Sequence, residues 1–254
     1  MAIQKWEEIS LYDGKVKLGF YPIRHSYHHL VNGKPERKGI KSVSAITGVV
    51  DKSRPLMIWQ ERLTRDHLIA ILTERPIYDT DVMEAVALHR TKKEEAADFG
   101  TMVHDWAENF AQAKLSGSDT PEIDDSWPDE VRNGINSFVD WYLDNNVKFL
   151  KTEQFVYSKK HDYGGRFDAI AKVNGKVVLI DYKTSSGVWP EMKLQACGYA
   201  IAYEEEYGKP VDQIQIIHFD KKQGVFQVLP LSQEEEEKYK KGFIHAVGLV
   251  KSLN

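Results

Sequence analysis

Two aspartates and a lysine are the residues whose types and spacing first suggest chemistry. Asp168 precedes and Asp181 and Lys183 follow the dipeptide Asn174-Gly175. Asn-Gly is the strongest short hairpin signal, because both central residues of a type I′ turn need positive φ. With a two-residue turn Val173 pairs with Lys176, and counting outward from that pair sets Asp168 across from Asp181. Their Cβ atoms would stand about 4.5–5.5 Å apart on one face. Two like charges so placed destabilise a strand pair unless something compensates them. A divalent cation does so, since carboxylates are the hard oxygen ligands that Mg²⁺ and Mn²⁺ prefer. Lys183 shares the face of Asp181 by strand periodicity, and Tyr182 points the other way. An ammonium there can orient a water and stabilise an anionic transition state. The plainer alternative is a solvated ladder of Asp168, Asp181, Lys183 and Arg166 with balanced charges. Against it, Val177-Val178-Leu179-Ile180 is apolar on both faces, as in a buried central strand.

Two further pairs lie on helical patterns. Phe99, Val103, Trp106 and Phe110 recur at helical spacing and define one buried stripe. His104 falls off that stripe and shares a face with Gly100 and Glu108. Glycine inside a helix costs about 1 kcal/mol and suggests that something approaches closely there. A histidine beside such a gap can be a metal ligand, although a lone helical histidine is more often structural. Gln195 and Tyr199, at i and i+4 of a later helix, can grip a phosphate or a base edge from one face. The alternative is a helix that packs its tyrosine and leaves the glutamine in solvent. Cys197 reads as a small buried hydrophobe.

The elements that must position these groups follow from periodicity. Strand-like sequence covers 16–31, with a turn at Asn32-Gly33, and helical spacing appears at 43–50, 56–74, 80–91, 93–115 and 129–146. Strands follow at 149–158, 165–173, 176–183, 212–219 and 224–229, with a helix at 190–207 between the third and fourth. A last helix opens at a Ser232–Glu235 capping box. This order predicts an α/β (α+β) fold, a mixed central sheet flanked by helices. Without a repeat or linker, 1–254 reads as a single domain, with an N-terminal hairpin and helical elaboration over 1–90 and the core over 91–254.

Composition narrows the class. The 254 residues carry 34 Lys and Arg against 38 Asp and Glu, for a net charge of −4. A protein that coats nucleic acid nonspecifically is basic, so any nucleic acid must be held by local clusters such as Arg166, Lys193, Lys159 and Lys160. No apolar run approaches the ~18 residues of a membrane span. The first residues lack a secretory pattern, and the single cysteine excludes an intramolecular disulfide and a cysteine-cluster metal site. The expectation is a cytoplasmic protein, in the host cytoplasm for a phage-encoded one.

Taken in order, Gly100-x-x-x-His104, Gly165-x-x-Asp168, Asp181-x-Lys183 and Gln195-x-x-x-Tyr199 resemble the RecB-like branch of the PD-(D/E)XK nuclease superfamily, with its restriction-endonuclease-like core. Ser42-Val43-Ser44-Ala45-Ile46, followed by Leu56 and Trp59, is similar to the opening of the mitochondrial genome maintenance exonuclease group and its phage relatives, with Ser44 where threonine is usual. The resemblance implies a metal-dependent DNA exonuclease acting in repair or recombination. His104, Asp168, Asp181 and the carbonyl of Tyr182 would hold Mg²⁺ or Mn²⁺. Asp168, Asp181 and Lys183 would be catalytic, with Gln195, Tyr199 and Arg166 on the DNA. Glu153 matches an acidic position often seen in this branch, without a settled role. The expected substrate is single-stranded DNA with a free end, threaded beneath helices 43–74 and 80–115, with Trp59, Trp106 and aromatics near Tyr27 as stacking platforms. A structure-specific endonuclease and a catalytically silent DNA-binding module remain alternatives. One cysteine cannot hold an iron–sulfur cluster, and there is no P-loop, so a helicase would be a separate partner, as would a recombinase or single-strand-binding protein.

Overall fold

The computed structural model describes residues 5–220 and 225–253. The chain opens with an antiparallel meander, β1 (Glu7–Leu11), β2 (Val16–Tyr21), β3 (Ser26–Val31) and β4 (Lys34–Ser42). Four helices follow: α1 (Val43–Thr47), α2 (Ser53–Glu74), α3 (Asp79–Ser116) and α4 (Asp129–Asp144). The core is completed by β5 (Lys148–Ser158), β6 (Tyr163–Val173), β7 (Lys176–Lys183), α5 (Pro190–Tyr207), β8 (Gln213–Asp220), β9 (Val225–Pro230) and α6 (Gln233–Ser252). Two expected helices, 80–91 and 93–115, are one 38-residue helix, since no proline or glycine lies between them to break it. The helix expected at 43–50 ends at Thr47, and β1 is an unexpected strand. Residue 224, expected to open β9, lies outside the described residues.

All strands join one mixed sheet with helices on both faces. Phe167, Ile170 and Leu179 pack with Ala196, Cys197 and Phe243 of α5 and α6. Ala169, Val178, Ile180 and Tyr182 pack with Val103, Trp106, Phe110 and Phe138 of α3 and α4. Val103, Trp106 and Phe110 of the predicted stripe are thus buried and Phe99 partly so, and Trp106 belongs to the core, so it is no stacking platform for a base. Cys197 is fully buried, and burial pushes its thiol up to about 12. Among the described residues no helix is long and apolar enough to cross a membrane.

The turn at Asn174 and Gly175 has both φ values positive, 48° and 84°. The β6–β7 register runs from Val173↔Lys176 to Ala169↔Ile180, as the two-residue turn requires. There the pairing stops. β5 follows β6 from Lys172 to Tyr163, so β7 and β4 must share the opposite edge. β4 runs parallel to β6 at Tyr163 and Gly164 only. Gly165 to Asp168 therefore lie in a fork where the sheet splits between β4 and β7.

The helices α2 and α3 form an arm at that end of the sheet. No residue of α2 is buried, and Leu56, Met57, Trp59 and Leu72 are exposed. The arm has a foot on each face: Lys52 meets Glu191 at the start of α5 at 2.8 Å, and Gly100 of α3 lies against Thr184, just past β7.

Candidate active site

The fork is built by exchanging a backbone partner for a side chain. Asp168 Oδ2 accepts the Tyr182 N–H at 2.6 Å, so the carboxylate stands where a ladder carbonyl would continue the pairing. Asp168 and Asp181 are therefore close but not the directly opposed ladder pair that the turn implied. On the other edge, the Thr152 hydroxyl donates to the Asp168 carbonyl at 3.0 Å. Its neighbour Glu153 has φ 50°, a left-handed conformation that costs a non-glycine residue about 1–3 kcal/mol. Such strain is held where surrounding structure demands it, and here it sets the Glu153 carboxylate beside Asp168.

His104, Glu153 and Asp168 each offer a ligand atom, and all three atoms lie within 4.8 Å of one another. His104 Nε2 stands 3.5 Å from Asp168 Oδ2, with its ring edge-on to Tyr182. Gly100, one turn earlier on α3, makes that approach possible: a Cβ there would sit 2.7 Å from Thr184 Oγ1. Asp181 lies outside this trio. It is buried, with Lys183 Nζ 2.5 Å from Oδ2, an ion pair without hydrogen-bond alignment. The sequence-derived set of His104, Asp168 and Asp181 thus gains Glu153, while Asp181 turns to the lysine. Tyr182 sends its ring into the α3–α4 layer, as strand alternation predicts.

The protonation states follow from these contacts. Asp168 holds a proton on His104 and pushes its pKa up to about 9, against burial. Burial, aided by the Asp168 charge, raises Glu153 to about 7. Asp181 rises to about 6, through burial and Asp168, despite Lys183. Burial alone would raise Asp168, but His104, Lys183 and the Tyr182 N–H outweigh it and hold it below the usual carboxylate range. For Lys183 burial is likewise outweighed, by Asp181 and Asp168, so its charge is secured.

Beside the trio lies a cavity of about 190 Å³, lined by His25, Tyr27, Ser42, Ser44, Arg166 and Tyr199, among others. Arg166 Nε meets Glu153 Oε2 at 2.7 Å. Gln195 donates to the Tyr199 hydroxyl at 2.9 Å, and the Tyr199 ring lies against Gly165, where a Cβ would meet it at 2.7 Å. Tyr199 is thus packed and also lines the cavity. Burial, with Asp181 and Asp168 nearby, raises its phenol well above the ordinary value and keeps it a neutral donor. The basic residues expected here divide: Arg166 is present, Lys193 is bound to Glu235 at 2.5 Å, and Lys159 lies over the Tyr12 ring at 3.7 Å. Tyr27 is buried against Gly164 rather than free to stack on a base. His218 escaped sequence reasoning. It is buried, paired with Lys183 in the β7–β8 ladder, and its Nε2 lies 2.7 Å from the Ser185 carbonyl, pinning the loop after the lysine.

A hard divalent cation fits this donor set. It is one imidazole and several carboxylates without thiols, and burial together with the Asp168 charge raises Glu153 and Asp181 although Arg166 and Lys183 stand beside them. A sheet that splits beside clustered carboxylates and a charge-secured lysine is the frame of a metal-dependent phosphodiesterase. The chain belongs to the PD-(D/E)XK nuclease superfamily, whose family model matches residues 82–251. No curated protein matches the sequence. Solved structures similar to it include a candidate exonuclease from Eubacterium rectale (TM-score 0.39, 10% identity, covering 59% of this chain and 64% of that one). This chain therefore spans a little under two thirds of that protein. Another is the protein SSO0001 (TM-score 0.27, 15% identity, covering 74% and 86%).

Proposed function

We propose that the chain is a deoxyribonuclease of the RecB-like branch that hydrolyses single-stranded DNA from a free end. The observation that carries this reading is the Lys183–Asp181 ion pair beside the His104–Glu153–Asp168 trio, in the fork of the sheet. His104, Asp168, Asp181 and the Tyr182 carbonyl, with Glu153 in support, would hold Mg²⁺ or Mn²⁺, which would supply Lewis-acid charge at the scissile phosphate. Asp168, Asp181 and Lys183 are the catalytic residues. Lys183 keeps its proton, so it orients the water and steadies the anionic transition state and does not act as a base. Arg166 reaches a phosphate oxygen from the cavity wall, and the neutral Tyr199 phenol, fixed by Gln195, donates to the same strand.

Cavity size supports a single strand. About 190 Å³ is below the ~300 Å³ of small-molecule sites and suits one sugar-phosphate unit. The α2–α3 arm, footed on both faces at the fork, supports the need for an end, because a strand beneath it must be threaded. Such ends are what a helicase, recombinase or single-strand-binding partner would present. The test is degradation of end-labelled linear DNA against a circle of the same sequence, with and without EDTA. Linear single strands disappear, circles persist and EDTA stops the reaction. Circles cut at a comparable rate make the protein an endonuclease, and intact linear DNA with metal makes it a silent binding module.

A further inference from the structure

We propose that the β2–β4 meander is a phosphate-binding platform that holds the nucleic-acid strand outside the fork. This rests on the nuclease reading and adds a contact surface outside the matched core, which begins at residue 82.

The first observation is charge. Residues 16–42 contain Lys17, Arg24, Lys34, Arg37, Lys38 and Lys41 against a single acidic residue, Glu36, in a chain whose net charge is −4. Lys17 is bound to Glu8 at 2.8 Å. Arg24, Lys34, Arg37 and Lys38 are exposed, and none has a carboxylate partner among the described residues. In a protein with more acids than bases, four unpaired cations on one small meander concentrate positive potential there.

The second observation is placement. The meander reaches the cavity twice. At the start of β3, His25 (φ 45°) and Tyr27 line it; at the end of β4 Ser42 does, followed by Ser44 of α1. Arg24 directly precedes His25. Lys34, Arg37 and Lys38 lie on the strand that runs into Ser42, and Lys34 to Ser42 spans about 26 Å at the usual rise of a strand. Ile23, at the tip of the turn beside Arg24, is 84% exposed and offers an apolar contact to a base. Unpaired cations on the meander that leads toward the cavity of Arg166 and the trio form an electrostatic track for a sugar-phosphate backbone.

Salt dependence tests the platform. The variant carrying R24Q, K34Q, R37Q and K38Q is compared with one carrying K148Q, K172Q, K176Q and K209Q. These last four exposed lysines lie around the Asn174-Gly175 turn and the end of α5, at the opposite end of the sheet, and give the same change in net charge. Binding of a fluorescent oligothymidylate is measured by anisotropy across a KCl series in EDTA. Each cation that meets a phosphate contributes about 0.7 to the slope of log K against log[KCl], so the meander variant loses roughly 2–3 from its slope while the control keeps that of the wild type. Equal slopes in the two variants overturn the proposal and leave only an effect of total charge. Single R24Q and K38Q variants, each expected to lose about 0.7, keep the test decisive if the fourfold variant unfolds. A wild-type protein that neither binds nor hydrolyses DNA would instead sink the nuclease reading itself.

Discussion

Metal binding to this site should expel protons, in a number set by the geometry. At pH 7 His104, with its pKa raised to about 9, carries about one proton, and Glu153, raised to about 7, carries about half of one. Both must be lost when the groups become ligands. Mg²⁺ or Mn²⁺ binding at pH 7 therefore releases about 1.5 protons, falling to about one at pH 8 as Glu153 empties. Because His104 lies about two units above neutrality, its proton alone weakens apparent metal affinity at pH 7 roughly a hundredfold relative to the fully deprotonated imidazole. Isothermal titration in buffers of different ionisation enthalpy gives the proton count directly, and His104→Ala should lower it by about one. Release of no protons, with affinity flat between pH 6.5 and 8.5, would refute the assignment of His104 and Glu153 as ligands.

The same shifts fix the sign of the pH dependence of the metal-free fold. His104, Glu153 and Asp181 all have folded pKa values above their ordinary ones. The stability each contributes is complete below its unfolded pKa and is lost as pH rises through its folded one. Metal-free protein should thus lose melting temperature from about pH 4 to pH 9, and saturating metal should flatten the upper part of that decline. Asp168 acts in the opposite sense: its contribution is lost only as pH falls through its depressed pKa.

Two substitutions separate packing from chemistry. Gly165→Ala places a methyl 2.7 Å from Tyr199 Cε1 and 2.9 Å from Val43 Cγ2, so thermal denaturation should show a loss of about 1–3 kcal/mol, and displacement of Tyr199 should slow DNA hydrolysis; an unchanged melting temperature and rate would mean the fork is looser than described. Lys183→Met should abolish hydrolysis while calorimetry still detects metal, since lysine offers charge and no ligand, whereas His104→Ala should weaken metal binding and hydrolysis together; equal loss of metal binding in both would mean the roles are misassigned.

Most of the core was legible because its signals are local. Asn174-Gly175 determines the β6–β7 register, and the alternation beyond it places Leu179 and Ile180 on opposite faces, as found. The spacing of Val103, Trp106 and Phe110 likewise found its buried face. What escaped depends on partners distant in sequence. Nothing near Glu153 signals that its backbone turns left-handed beside Asp168. Nothing near His218 signals a contact with Ser185, because β7 and β8 pair in parallel only through a long crossover. Lys193 looked available for DNA because sequence could not show Glu235 beside it.

Residue type gives His104 and Lys183 similar work, a positive charge among carboxylates, yet their surroundings give them different fates. Lys183 is mostly buried and paired with Asp181, and the charges of Asp181 and Asp168 raise its pKa above an already high value. No physiological pH removes that charge, and the primary ammonium has no lone pair to offer a metal. His104 is one-third exposed, with 34% of its side chain accessible, and a single 3.5 Å contact with Asp168 sustains its proton. On the proposed reading, a divalent cation at Asp168 would remove the reason for that proton and leave the imidazole nitrogen free to serve as a ligand. On that reading one positive charge would be exchangeable for metal and the other permanent. The division between ligand and electrostatic catalyst is set by burial and pairing, which the fork of the sheet imposes on two side chains that composition alone would not distinguish.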